Sequence, residues 1–223
     1  MSFPSRYSAM SQRLRAQDSD GWETHDRAVE LQRDGEEVIM LDVGDPDFRT
    51  PEPIIDNAVS YLRVGRTHYS PALGELKFRR AVADLETQTS PHRCSAEEVA
   101  IFPGATNAIH AVMSCLLDPG DEVIIPEPMY VGYLPVMRCI DASVKTVPLD
   151  ARAGFALDVE TVKAAFTDRT RVHFLNTPGN PTGTNLSRSK LRELGDFCYQ
   201  RGEWLVCDEV YSMFTYVGIH CSA

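Results

Sequence analysis

RVHFLNTPGNPTGTNLSRSKLRELGDFCYQRGEWLVCDEV, residues 171–210, holds two short apolar runs on either side of a helical segment. RVHFLN (171–176) and EWLVCDEV (203–210) have the length and the β-branched and aromatic content of strands. After the first comes an irregular loop, NTPGNPTG (176–183), then SRSKLRELGDFCYQRG, which reads as a helix ending at Gly202. Strand, crossover helix and strand in that order make a parallel pair.

Upstream the alternation continues. EVIIP (122–126) follows the turn Asp118-Pro119-Gly120-Asp121 and reads as a strand, and so does SVKTVPL (143–149). VGYLPVMRCI (131–140) joins them as a crossover in which Pro135 is expected to kink or break a helix. DVETVKAAF (158–166) reads as a short helix capped by Asp158. Further upstream, EEVAIF (97–102) is expected as a fifth strand, running through Pro103-Gly104 into the helical segment ATNAIHAVMSCLL. In that helix Ile109, Val112, Met113 and Leu116 recur at the spacing of one buried face. The pattern predicts an α/β fold: three layers, a mostly parallel sheet with helices on both faces. The first ninety residues differ. LDVGDPDFRTPEPI (41–54) and THYSPALGE (67–75) are loops, each followed by a helix, with Thr50 expected as the cap of the first and Pro51 at its first helical position. They form an arm outside the sheet.

Composition narrows the function classes. Of 223 residues, 43% are hydrophobic and 24% charged, which suits a folded globular chain. No apolar run approaches the roughly 18 residues of a membrane span, so no membrane partner is expected. The net charge of −10 argues against nucleic acid as a partner. Six cysteines in no C-x-x-C pair fit reduced thiols and a cytoplasmic location, and argue against a structural metal. The Ser-rich start MSFPSRYSAMSQRLRAQDSD lacks a secretory pattern and reads as a frayed terminus.

In open parallel sheets ligands sit at the carboxyl ends of strands, so chemistry is sought in three loops. Gly104, Ala105 and Thr106 open a helix, whose free N–H groups, positive dipole end and threonine hydroxyl suit an anion. NTPGNPTG presents Asn180 on a stiff loop. Asp208 closes an apolar strand, where a carboxylate is costly unless it meets a cation, and Tyr211 follows three residues on. Taken singly, each has a bland alternative as a turn or a cap. Together they suit a ligand with a phosphate, a protonatable ring nitrogen and a phenolic oxygen, and pyridoxal 5′-phosphate has all three.

At this point the sequence resembles a family: the class I/II aminotransferases, aspartate-aminotransferase-like enzymes of pyridoxal-phosphate fold type I. The strings VGDPDFRTPEPI, THYSPALGELKFRRAVA, PGATNAI, LLDPGDEVIIPEPMY, NTPGNPTG and VCDEVY stand in the family's order across roughly residues 36–214. The resemblance implies that Gly104, Ala105 and Thr106 hold the cofactor phosphate and that Tyr130 stacks on its ring. It implies that Asn180 and Tyr211 bond the ring's phenolic oxygen and that Asp208 pairs with the ring nitrogen. Asn180 and Gly44 would lie by the substrate carboxylate. Tyr69 would reach the phosphate of a second subunit, so a homodimer is implied. Amino acids and 2-oxo acids would be the substrates, in amino-acid metabolism or biosynthesis. Residues 1–50 would form an arm and small-domain segment, and 51–223 the large, cofactor-binding domain, incomplete.

The family also uses a lysine downstream of the DEVY motif, joined covalently to the cofactor. The lysines here are Lys77, Lys145, Lys163 and Lys190, all before Asp208, so no catalytic residue is assigned. Ser187-Arg188-Ser189-Lys190 resembles the family's S-x-S-K, but its place after NPTG assigns it to a capped helix. A truncated chain unable to transaminate alone is therefore expected. A lyase or cyclase of the same fold, and a non-catalytic remnant or partner subunit, remain as alternatives. In the family sheet two later strands lie between EEVAIF and RVHFLN. Without them EEVAIF is left unpaired, and an associated or molten chain is expected rather than a monodisperse monomer.

Overall fold

The structure is a computed structural model, and it describes residues 6–15, 22–90 and 92–223. Four parallel strands form one sheet: β1 (Glu122–Glu127), β2 (Ser143–Pro148), β3 (Thr170–Asn176) and β4 (Trp204–Asp208), in the order β2-β1-β3-β4. Each matches an expected apolar run. Alternate residues of the strands supply two cores. Val123 and Ile125 of β1 and Val172 and Phe174 of β3 pack on one face, with Met113, Tyr133 and Met137. Ile124 and Leu175 face the other way, with Val162, Leu191 and Leu194. Two helices cover each face: α5 (Ala105–Leu116) and α6 (Tyr133–Ile140) the first, α7 (Val159–Ala165) and α8 (Arg188–Arg201) the second. The expected caps of the latter pair are present. The Asp158 side chain accepts from the Thr161 N–H at 3.1 Å, and Gly202 closes α8 in the left-handed region at φ 72°.

EEVAIF is not a strand. A capping box between Ser95 and Glu98 turns Ala96–Glu98 into a single 3-10 turn. The rest of the segment pairs with no strand among the described residues; Ile101 N–H donates instead to the Leu73 carbonyl at 3.0 Å. Strand character needs a neighbour as well as a sequence, and none of the described strands lies beside it. The same lack of cover corrects the helix face expected on α5. Met113 is fully buried, Ile109 and Leu116 only partly, and Val112 remains 38% exposed. Pro135 does not break α6, because it is the third residue of the helix, where its missing N–H would have had no intrahelical acceptor.

The remaining helices precede the sheet. They are α1 (Ala9–Arg15), α2 (Glu23–Arg33), α3 (Glu52–Arg63) and α4 (Leu76–Thr89), and no strand lies among them. The cap of α3 is Pro51 rather than Thr50, with Pro53 inside its first turn. The frayed start is corrected where it is described. Residues 9–15 are helical, and Arg13 donates to the carbonyls of Arg138 (3.0 Å) and Cys139 (3.2 Å) and pairs with Asp141 (3.3 Å). The guanidinium adds a second donor to the Arg138 carbonyl, which also accepts from the Asp141 N–H at 3.2 Å, and supplies one to Cys139 at the end of α6. Residues 1–5 and 16–21 of that start lie outside the described residues. No described helix is long and apolar enough to cross a membrane, and all six cysteines are free thiols.

Candidate functional site

Because all four strands are parallel, their carboxyl ends share one edge. Strand order reverses direction there between β1 and β3, and the chain leaves the sheet on opposite sides of that point. A cleft of about 270 Å³ opens nearby, lined by Pro103, Gly104, Ala105, Thr106, Tyr130, Tyr133, Asp208 and Tyr211, with Ile109 and Val210.

One wall is the start of α5. Gly104 is its cap, at φ 92° and ψ 154°, a conformation open to glycine and costly for other residues. It turns the chain so that the first-turn N–H groups of the helix, which have no intrahelical acceptor, begin at the cleft. Another wall is the end of β4. The Asp208 carboxylate accepts from the Tyr133 hydroxyl at 2.8 Å and from the Val210 N–H at 3.0 Å. Its main-chain carbonyl accepts from the Thr177 N–H and from Asn176 Nδ2, both at 3.0 Å. Burial, with the carboxylate facing it, holds the Tyr133 phenol far above its usual range, so it is a neutral donor. Among the described residues no lysine, arginine or histidine lines the cleft, and Asp208 forms no ion pair. A half-buried carboxylate held by neutral donors stands ready for a cation brought by a ligand.

Asn180 joins the site through Tyr211: its Nδ2 donates to the Tyr211 hydroxyl at 3.0 Å. Asn176 steadies that loop, its Oδ1 accepting from the Asn180 N–H at 2.6 Å. Seven of the nine residues singled out from the sequence thus meet here: Gly104, Ala105, Thr106, Tyr130, Asn180, Asp208 and Tyr211. The other two do not. Gly44 is exposed in the irregular stretch before α3, and Tyr69 is fully exposed in the loop before α4. The sequence reading missed Tyr133, which touches Asp208 directly, and Asn176, which holds Asp208 from behind. The one local signal for Tyr133 is its place three residues after Tyr130 in EPMYVGY, across a turn closed by the Tyr133 N–H and the Tyr130 carbonyl at 3.2 Å.

Lys190 is excluded from the cleft by geometry. Ser187 caps α8 by accepting from the Lys190 N–H, and Lys190 Nζ donates to the Leu157 carbonyl at 2.6 Å in the layer across the sheet. Cys207 precedes Asp208 but faces the other core, where burial pushes its thiol up to about 12.

The arrangement lines one cleft with a helix start, a carboxylate and three phenols, one of them bonded to a carboxamide. The family model for aminotransferase class I and II matches residues 36–220. The arginine–pyruvate transaminase of Pseudomonas aeruginosa is 41% identical over 97% of this chain and 55% of its own length. The aspartate/prephenate aminotransferase of Thermus thermophilus is 34% identical over 88% of this chain and 51% of its own length. A solved structure of Thermus thermophilus aspartate aminotransferase with maleate superposes with a TM-score of 0.90, at 33% identity, over 97% of this chain and 57% of that one. The chain spans about half the length of the curated relatives it matches.

Proposed function

The chain belongs to the class I and II aminotransferases, and on that premise we propose that its cleft binds pyridoxal 5′-phosphate for amino-group transfer between an amino acid and a 2-oxo acid. The observation that carries the proposal is the Asp208 carboxylate, which lines one cleft with the start of α5 and pairs with no cation among the described residues. A dipolar ring with a phosphate at one end and a protonatable nitrogen at the other matches both walls.

Gly104, Ala105 and Thr106 would hold the phosphate, and Tyr130 would cover a face of the ring. When bound, the cofactor supplies an electron sink for the carbanion left at an amino acid's Cα. Asp208 keeps a proton on the ring nitrogen, which deepens that sink. Tyr133 keeps the Asp208 carboxylate aimed, donating a proton it does not release. Tyr211, whose hydroxyl is oriented by Asn180, would donate to the phenolic oxygen. Gly44 lies away from the cleft and is assigned no role. Tyr69, fully exposed on its own chain, is free to serve a second copy, which supports a homodimer. Six cysteines, all free thiols, support a cytoplasmic location.

The test is equilibrium binding of pyridoxamine 5′-phosphate, which has no aldehyde to react with surface lysines. Asp208→Ala should bind about tenfold more weakly or worse, because the charged ring nitrogen loses its partner. Equal binding by the two proteins would overturn the placement of the ring.

A further inference from the structure

Gly132, between the two cleft tyrosines, is a glycine without a backbone reason. Its φ of −68° and ψ of −13° lie in the right-handed helical region, open to every L-residue. The space beside it is what demands the absence of a side chain. A Cβ at residue 132 would stand 2.4 Å from Cε1 of Tyr130, 2.9 Å from its Cζ and 3.2 Å from its Cδ1. The Tyr130 ring occupies that volume. It meets the Tyr133 ring edge-on, with centroids 5.4 Å apart, and Tyr133 in turn packs on Phe174 at 4.7 Å and donates to Asp208.

We infer that Gly132 is a positioning residue, whose missing side chain sets where the Tyr130 ring lies and so how that ring covers the ligand in the cleft. The inference rests on the cofactor-site reading above. Any side chain at 132 displaces the ring, since a Cβ with a carbon neighbour at 2.4 Å is not tolerated. The atoms in the way are the far end of a half-buried tyrosine that turns about two torsions. The ring therefore yields before the backbone does, and a substitution at 132 acts through Tyr130 while the fold stays intact.

The experiment is a double-mutant cycle of Gly132→Ala and Tyr130→Ala on the full 223-residue chain. Its readouts are pyridoxamine 5′-phosphate binding and the near-ultraviolet circular dichroism of the ligand-free protein. Asp208→Ala is the control for the site itself. Gly132→Ala should keep the far-ultraviolet spectrum, change the tyrosine bands and weaken binding by about tenfold, comparable to Tyr130→Ala. In the Tyr130→Ala background the same substitution should change neither readout. An undiminished effect in that background means that residue 132 acts through the backbone, and overturns the inference. So does wild-type binding by Gly132→Ala while Tyr130→Ala and Asp208→Ala bind weakly. If none of the variants alters binding, or the wild-type chain binds nothing, the cofactor-site reading fails and takes this inference with it. Should Gly132→Ala unfold, Gly132→Ser in the same cycle decides, and an unfolded serine variant also overturns the claim that the ring yields first.

Discussion

Acidification should destabilise this fold through one side chain, His173 at the centre of β3. Its ring is fully buried. Nδ1 carries the hydrogen, donating to the Ile124 carbonyl at 3.2 Å, and Nε2 meets no partner among the described residues. Phe166 lies edge-on to the ring at 6.0 Å. A proton added at Nε2 would be a buried charge with nothing to pair with, and burial lowers the imidazole from 6.5 to about 4. The unfolded chain therefore takes up this proton below about pH 6.5, the folded chain only below about pH 4. Between those values the unfolded state binds more protons, so stability is full above the window and declines as pH falls through it. The difference corresponds to roughly 3 kcal/mol in total, most of which is lost by pH 4.5. Urea unfolding followed by far-ultraviolet circular dichroism at pH 7.5, 6, 5 and 4.5 measures the decline. His173→Gln serves as the comparison, and only the two slopes against pH are compared, because carboxylates titrate in both proteins. The wild-type curve should fall more steeply. Parallel curves would refute the assignment of a neutral, partnerless imidazole at this position.

Two further outcomes are expected. The chain exposes 16128 Å², whereas a compact monomer of its mass, 24.9 kDa, exposes about 10,200 Å²; Leu41, Phe48, Leu62, Met213 and Val217 are among its exposed apolar side chains. Size-exclusion chromatography with light scattering should find a dimer or larger, and a monomer peak with a sharp melt would contradict that. Borohydride treatment with pyridoxal 5′-phosphate should label no single lysine stoichiometrically, since Lys190, Lys145 and Lys163 are tied to Leu157, Ala165 and the Glu160/Glu193 pair. A specific adduct at Lys190, seen by peptide mass mapping, would reverse the exclusion of that residue from the cleft.

The four strands were legible because each is a short apolar run bounded by turn residues, and the run itself causes the burial. The loops were legible because Pro, Gly, Asn and Asp confine a backbone locally: Gly104 and Gly202 do in the structure what their positions suggested. What escaped depends on neighbours far along the chain. EEVAIF has strand composition but no strand beside it among the described residues, and Val112 has the right spacing but stays 38% exposed. Pro135 was misjudged by a matter of phase, since the same residue one turn later would have cost a hydrogen bond. Tyr133 has no strong local mark of its role. Its contact with Asp208 crosses 75 positions of sequence and becomes visible only when β4 lies beside β3.

The fastening of α6 at both ends has a mechanical side. Arg13 grips its last carbonyls, and Tyr133, its first residue, holds Asp208. An eight-residue helix is a strut about 12 Å long, stiff over that distance. The cleft end and the far tip belong to one short helix, and the amino-terminal helix α1 is the part hung on that tip. Seating a ligand against Asp208 stiffens the strut's base, so protection of the α1 backbone amides against hydrogen exchange should rise with occupancy of a cleft at the other end of the helix. The amino-terminal helix then serves as a remote gauge of whether the carboxylate is engaged, readable without any turnover.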